Sequence, residues 1–414
     1  MLIIYRFLIN IVFAISPIIL IFRLIKKKES YKRFQEKFCF FSQKRGSGKL
    51  VWFHGASVGE IQSIIPLIEK IEKNNRVKKI LITTNTLSSA KIIEKYKFKK
   101  TVHQFFHVDT NFLSKKFLCY WKPAVAFFID SEIWPNTIIN LDKQKIPIVL
   151  LNGRITKKTF KRWKNLYNFS EYIFGKINLC LPSSNNSQNY LKKLGVKNIK
   201  SIGNLKFSQS ESEKIIKYND INRFISSKKT WCASSTHNGE EIFCGKIHKQ
   251  LKKKHKNLLT IIIPRHVDRT KSIIKEMKKL NLNTHIHEPK KQISSDTDIY
   301  IVNSYGKTKS IYCICKNIFL GGSIIKHGGQ NPLEATRYGC NILHGPNIEN
   351  FKEIYEYLNK IKISSKINSI SQATNRLNKL FYKKDNSKEM LLKLNLIGKE
   401  ILNKTYKEIN IFLK

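Results

Sequence analysis

Acidic residues are scarce in this chain of 414 residues: 29 Asp and Glu stand against 76 Lys and Arg, a formal charge of +47. That excess would draw the protein toward any polyanion, whether nucleic acid, anionic lipid or a phosphorylated substrate. Other absences narrow the choice. No zinc-finger spacing, RNP-like aromatic segment or basic heptad array is present, so no discrete nucleic-acid module is expected. Much of the Lys is spread beside Asn and Ile along the whole length, which fits a compositional bias as well as a binding surface. Paired cysteines are missing too. The eight present (Cys39, Cys119, Cys180, Cys232, Cys244, Cys313, Cys315, Cys340) are scattered, mostly inside apolar stretches, as expected of reduced thiols in a reducing compartment. Cys313 and Cys315 form C-x-C without a second pair, which argues against zinc. No short repeat is evident.

Long apolar runs are also few, and the one membrane signal is N-terminal. From Phe7 to Phe22 the residues are mostly apolar, bounded by Arg6 and Arg23 and interrupted by Asn10 and Pro17. A full crossing needs about 20 apolar residues, so a tilted or half-inserted anchor and a transmembrane helix both remain open. The cluster Lys26, Lys27, Lys28 follows the apolar core, the reverse of a cleaved signal peptide, and the positive-inside rule keeps the body cytoplasmic.

What is present is an alternation of short apolar runs with amphipathic segments. "LVWF", "KKILITT", "AVAFFID", "IPIVLLN" and "NLCLPS" read as buried strands, then the polar stretch Phe207 to Phe224 interrupts, and "TWCASST", "LLTIIIPR", "DIYIVNS", "NIFLGGS" and "CNILHGP" resume the rhythm. Two Rossmann-like α/β domains in tandem are expected: an anchor over 1–28, a first domain over 29–207, a linker over 208–225 and a second domain over 226–414. The last segment reads as an amphipathic helix that returns to the first domain.

Ligands of such sheets bind beyond the carboxyl ends of the strands. In the first half those positions hold His54 to Glu60, the block from Asp130 to Asn136, Asn152-Gly153-Arg154 and Gly203-Asn204-Leu205-Lys206. Glu60, Asp130 and Glu132 are three acids able to converge, one as general base, while Asp130 with Glu132 keeps a divalent cation as a minor alternative. In the second half, glycines 321, 322, 328 and 329 would let backbone N–H groups approach an oxyanion, helped by a helix opening near Asn331. Arg265 would add charge, and Glu334, about one turn into that helix, would accept from a ribose diol. Asp296-Thr297-Asp298 precedes a strand and so falls at the wrong edge for a metal motif.

Gly55-Ala56-Ser57-Val58-Gly59 spells the G-x-S-x-G nucleophile elbow of hydrolases. It stands on the first strand, with no segment before it to form an oxyanion hole and no well-placed His after it. Ser57 therefore reads as a helix N-cap.

Taken together, "HGASVGE", "SEIWPN", "NGR", "GNLKF", "ASSTHNGEE", "IPRHVDR" and "GGSIIKHGGQNPLEATRYGCNILHGPNIENFKEI" resemble the Kdo transferases of lipopolysaccharide synthesis, membrane-anchored glycosyltransferases of the GT-B type. The resemblance implies two Rossmann-like domains facing across a cleft. It also implies transfer of the acidic sugar Kdo from CMP-Kdo to a lipid A precursor, at the cytoplasmic face of the inner membrane, with no cofactor, no metal and no nucleic-acid partner. It makes Glu60 the proton acceptor and Asp130 and Lys206 transition-state stabilisers. CMP falls to Pro264, Arg265, Tyr305, Gly306, Lys307, Asn331, Pro332, Leu333 and Glu334. Two departures stand out. Asp130 replaces the family's usual Glu, and Asn303 to Lys307 replaces a D-T-M-G-E pattern. A transferase using a UDP-sugar and a lipid-active serine hydrolase are the alternatives.

Overall fold

The computed structural model describes residues 1–209, 219–288 and 292–414. The chain forms two compact units, Met1–Ser210 with Asn395–Lys414, and Glu211–Leu394. Of the stretch expected as a linker, 210–218 lies outside the described residues and Asn219–Ser226 is helix.

In the first unit six strands run parallel: β1 (Leu50–His54), β2 (Lys79–Thr84), β3 (Thr101–Phe105), β4 (Val125–Ile129), β5 (Ile148–Gly153) and β6 (Leu179–Pro182). Their order is β3-β2-β1-β4-β5-β6. Helices cover both faces, so the strands are apolar on both sides and read as continuous runs. Alternation along each strand divides the core into two layers. Trp52, Phe128 and Leu150 pack with Phe117 and Trp121 on one face. Val51, Phe53, Phe127 and Leu151 pack on the other with Ile61, Ile64 and Ile68 of the helix Val58–Glu72. Ile401, Ile409 and Leu413 of the C-terminal helix (Ser387–Leu413) join that second layer. Strand β3 is not among those expected from the sequence. Its buried His103 and Gln104 break the apolar run, and their partners are Arg33 and Thr84 for His103 and Trp121 for Gln104. The strands ending at Asp130 and Asn152 are therefore the fourth and fifth, not the third and fourth.

The second unit has seven parallel strands: β7 (Lys229–Thr236), β8 (Leu258–Pro264), β9 (Thr284–Ile286), β10 (Ile299–Ile301), β11 (Asn317–Leu320), β12 (Asn341–His344) and β13 (Ser364–Lys366). Their order is β13-β12-β11-β7-β8-β10-β9. The edge strands β9 and β13 have three residues each, too short and polar to leave a periodic signal. Asp298, just before β10 at the amino edge, is a structural acceptor. It binds the Asn283 N–H at 3.0 Å, His248 at 3.3 Å and the Lys252 ammonium. Although burial opposes ionisation there, these bonds hold its carboxyl below the usual range.

The N-terminal helix runs from Leu2 to Ile25, longer than the apolar core of its sequence, with Pro17 inside it. It is long and apolar enough to cross a membrane. Yet one stripe of it, Leu2, Tyr5, Phe13, Ser16 and Leu20, faces the first unit, while Ile4, Phe7, Ile11, Ile15, Ile18 and Phe22 are exposed. Polar contacts fix both ends. The Tyr5 hydroxyl donates to buried Asp109 at 2.8 Å, and Arg6 Nε donates to Asn136 at 3.0 Å. Arg23 pairs with Glu29 at 2.7 Å, and Glu29 in turn with Lys37 at 2.7 Å.

Candidate active site

In the first sheet the strand order reverses between β1 and β4, the switch point at which open parallel sheets bind ligands. Strand β1 ends at His54, and the chain turns at Gly55 into the helix Val58–Glu72. A Cβ at Gly55 would meet Ile61 Cδ1 at 3.1 Å and Glu60 Cβ at 3.3 Å, so the missing side chain lets the helix close onto the strand. Ser57, extended at φ −105°, is the N-cap, and its hydroxyl accepts from the Glu60 N–H at 3.3 Å. Glu60 reaches back. Its Oε2 accepts from the Ala56 N–H at 2.7 Å, and its Oε1 accepts the Ser57 hydroxyl at 2.7 Å. This reciprocal capping box satisfies orphan helix amides while pinning the Glu60 carboxylate at the strand end. The Ser57 hydroxyl thus serves a carboxylate. The imidazole of His54 is engaged elsewhere, Nδ1 with Thr83 Oγ1 at 2.9 Å and Nε2 with Glu132 at 3.0 Å.

Three acids meet here in unlike environments. Glu60 is half-buried, and burial raises its pKa; the Ser57 hydrogen bond offsets part of that, while the charges of Glu132 and Asp130 raise it further. For Glu132 burial acts the same way, but hydrogen bonds from His54 and from Trp134 Nε1 at 2.9 Å outweigh it, and its pKa lies below the ordinary value. Asp130 accepts the Lys206 ammonium at 2.9 Å on Oδ2 and the Asn152 amide at 2.6 Å on Oδ1. Asn152 Oδ1 accepts from the Leu205 N–H at 3.0 Å, so one buried amide ties β4 to the turn that carries Lys206. Asp130 at φ 55° and Asn152 at φ 52° are both left-handed, a conformation that costs energy and is retained where the surroundings impose it. Carboxylates whose surroundings push their pKa values apart are suited to separate acid–base roles. The structure thus brings Glu60, Asp130 and Lys206 to one strand edge, and the two acids weighed as cation ligands, Asp130 and Glu132, each have protein partners. The first is held by Lys206 and Asn152, the second by His54 and Trp134. Asn152 stood out in the sequence only as part of "NGR"; its clamp needs the pairing of β4 with β5 and the fold of the Gly203–Lys206 turn to be seen.

In the second unit the expected CMP residues all lie at or beyond the carboxyl ends of strands of one sheet: Pro264 ends β8 and Arg265 follows it, Tyr305 to Lys307 come after β10, and Asn331 to Glu334 after β11. Tyr305 is exposed, and Gly306 is left-handed at φ 80°. The helix after Asn331 is shorter than expected, only Leu333–Thr336 with Pro332 as its cap, so Glu334 sits in its first turn. Asn331 Oδ1 accepts from the Leu333 N–H at 3.1 Å. The glycine loop after β11 departs further from expectation. Its N–H groups at Gly322, Ser323 and Ile324 donate to the Glu240 carboxylate at 2.7, 3.0 and 3.0 Å, and the His237 N–H adds a fourth bond at 3.0 Å. Of the four glycines read as a phosphate cradle, Gly322 thus donates to the protein's own carboxylate. A Cβ at Gly321 would meet the Ser235 carbonyl oxygen at 2.4 Å, so this glycine is a packing requirement.

Comparison with known proteins gives the family and the fold. The family model for 3-deoxy-D-manno-octulosonic-acid transferase (kdotransferase) matches residues 32–209. A 3-deoxy-D-manno-octulosonic acid transferase of Rickettsia bellii is 31% identical over 390 residues, covering 93% of this chain and 92% of the relative. One of Haemophilus influenzae is 27% identical, covering 85% and 83%. Among solved structures, UDP-GlcNAc 2-epimerase from Neisseria meningitidis superposes with TM-score 0.59 at 13% identity, covering 88% of this chain and 99% of that one. Anabaena HepE in complex with UDP and glucose gives 0.55 at 11%, covering 87% and 99%. These likenesses fix the fold as GT-B: two parallel-sheet α/β units.

The Ser57 bond favours the ionised form of Glu60, so Ser57→Ala should raise the Glu60 pKa further. A carboxyl ¹³C titration of glutamate-labelled protein reads it, and an unchanged or lowered midpoint would refute the coupling.

Proposed function

Because the chain belongs to the Kdo transferase family of glycosyltransferases, we propose that it transfers Kdo from CMP-Kdo to a lipid A precursor, lipid IVA, in lipopolysaccharide core biosynthesis. The reading rests chiefly on the Glu60 carboxylate, pinned at the switch point of the first sheet and biased toward taking a proton. The ionised carboxylate accepts the proton of a glucosamine hydroxyl. That oxygen attacks the anomeric carbon of Kdo as the bond to the phosphate breaks, its electron pair leaving with CMP. Attack opposite the leaving group inverts the centre. The Lys206 ammonium, held by Asp130, which the Asn152 amide holds in turn, supplies a fixed positive charge for the transition state. In the second unit Pro264, Arg265, Tyr305 to Lys307 and Asn331 to Glu334 receive CMP. A single phosphate on the leaving group needs less neutralisation than a diphosphate, so the reaction is written without a metal.

The N-terminal helix supports a place on the membrane surface at the cytoplasmic face of the inner membrane. At 1.5 Å per residue it is about 36 Å long, and both its ends are tied to the same unit by Tyr5, Arg6 and Arg23. A helix held along a globular body at both ends lies in the plane of the bilayer, its outer face of Ile4, Ile11 and Ile18 in the acyl boundary.

Replacing Glu60 by Gln keeps the shape and removes the base. We expect kcat to fall by about 10² to 10⁴ with CMP affinity preserved, in an assay that follows product mass from CMP-Kdo and lipid IVA. Unchanged kcat would reject Glu60 as base, transfer from a UDP-sugar with none from CMP-Kdo would reject the donor, and activity lost in EDTA and restored by a divalent cation would reject the metal-free step. For the helix, nitroxides at positions 4, 11 and 18 of Cys119→Ser protein in vesicles should report one shallow depth; a deep middle between shallow ends would show a crossing helix.

A further inference from the structure

Three histidines of the second unit converge without any part in the reaction as written above. His237 follows β7, His266 follows β8, and His327 lies in the loop after β11, so all three stand at the carboxyl edge of the sheet, around its own switch point between β7 and β11. The rings of His237 and His327 are 4.1 Å apart and those of His237 and His266 5.9 Å. Gly322, left-handed at φ 66°, makes the room: a Cβ there would meet His327 Nδ1 at 3.3 Å and His237 Cδ2 at 3.4 Å. His237 is buried, and its Nε2 has no hydrogen-bond partner among the described residues.

The charges around His237 are one-sided. His327, His266, Arg265 and Arg269 face it, and both neighbouring carboxylates are already engaged. Glu240 accepts four backbone N–H groups, and Glu241 pairs with Arg269 at 2.7 Å. Burial first, then these cations, push the His237 pKa down to about 4. Three imidazoles and the Arg265 guanidinium, with no counter-anion among the described residues, are a receptor for one, and the loop amides beside them are taken by Glu240.

We propose that His237, His266 and His327 form the oxyanion receptor of the donor site, and that the cluster takes up a proton as the anion binds. This rests on the donor reading above. The anion is the donor's phosphate or its sugar carboxylate. Binding either one restores the ionised imidazole, so a proton enters with the ligand and affinity weakens as pH rises, by up to about tenfold per pH unit for one proton.

The test is calorimetry on the full chain in two buffers of different ionisation enthalpy. Four probes are used: the methyl phosphodiesters of CMP and of UMP, whose charges are constant between about pH 5 and 8, free Kdo, and cytidine. We expect proton uptake with the CMP diester or with Kdo, identifying phosphate or carboxylate as the anion, and none with cytidine. His237→Asn and His327→Asn should abolish the uptake while a thermal scan shows the fold retained. Binding of both anions with no proton uptake and no pH dependence overturns the proposal, whether or not the variants fold. Uptake with the uridine diester and no binding of the cytidine one would reject the CMP donor and keep the cluster.

Discussion

The reciprocal hydrogen bonds between Ser57 and Glu60 are the constraint from which the candidate chemistry of the first unit follows. A parallel strand must hand over to a helix within a few residues, and the first amides of that helix need acceptors. Ser57 and Glu60 supply them together, so the requirement of the fold and the position of the carboxylate are one arrangement. A glutamate free on the surface would keep its ordinary acidity. Here the helix start draws it inward, against Ile61 and toward β4, where burial and two neighbouring carboxylates make ionisation costlier. The same bonds that hold it keep part of its acidity, which leaves it ionisable and yet a stronger base than an exposed glutamate.

Its two neighbours show what different partners do to the same functional group. Glu132 faces His54 and Trp134 and is stabilised as an anion; Asp130 faces Lys206 and the Asn152 amide. The shorter Asp at that position still reaches the lysine, at 2.9 Å, and both Asp130 and Asn152 adopt left-handed backbone conformations. Asn tolerates that conformation better than most side chains, and its amide can donate to Asp130 while accepting from Leu205. A carboxylate paired in this way orients the ammonium without leaving it free to swing into solvent.

Much of this was legible in the sequence, and the limits have physical causes. Strands buried on both faces announce themselves, as "LVWF" and "AVAFFI" do; β3 does not, because His103 and Gln104 are satisfied by residues from distant segments. Glu60 and Ser57 could be placed because an N-cap and its third residue are local. The clamp at Asn152 could not, since it joins β4, β5 and the turn at Lys206 across 22 and 53 residues of chain. The N-terminal helix was legible as apolar, but its orientation depends on Asp109 and Asn136, more than 100 residues away.

The glycine loop of the second unit teaches the opposite lesson. Glycines before a helix and after a strand are compatible with an anion, and an anion is indeed bound there, but it is the carboxylate of Glu240, itself in the first turn of the helix Glu240–Lys252. A motif shows that backbone donors converge; it does not show whether the protein has already supplied the acceptor. Once it has, those amides are spent, and an anion arriving beside them meets side chains. Next to those amides stand His237, His266, His327 and Arg265, with no acidic partner among the described residues, three imidazoles and a guanidinium at the edge where parallel sheets bind their ligands. Glu240 therefore does two things at once. It fixes the loop that carries His327, and by occupying the amides it moves anion recognition from the backbone, which cannot titrate, to side chains, which can.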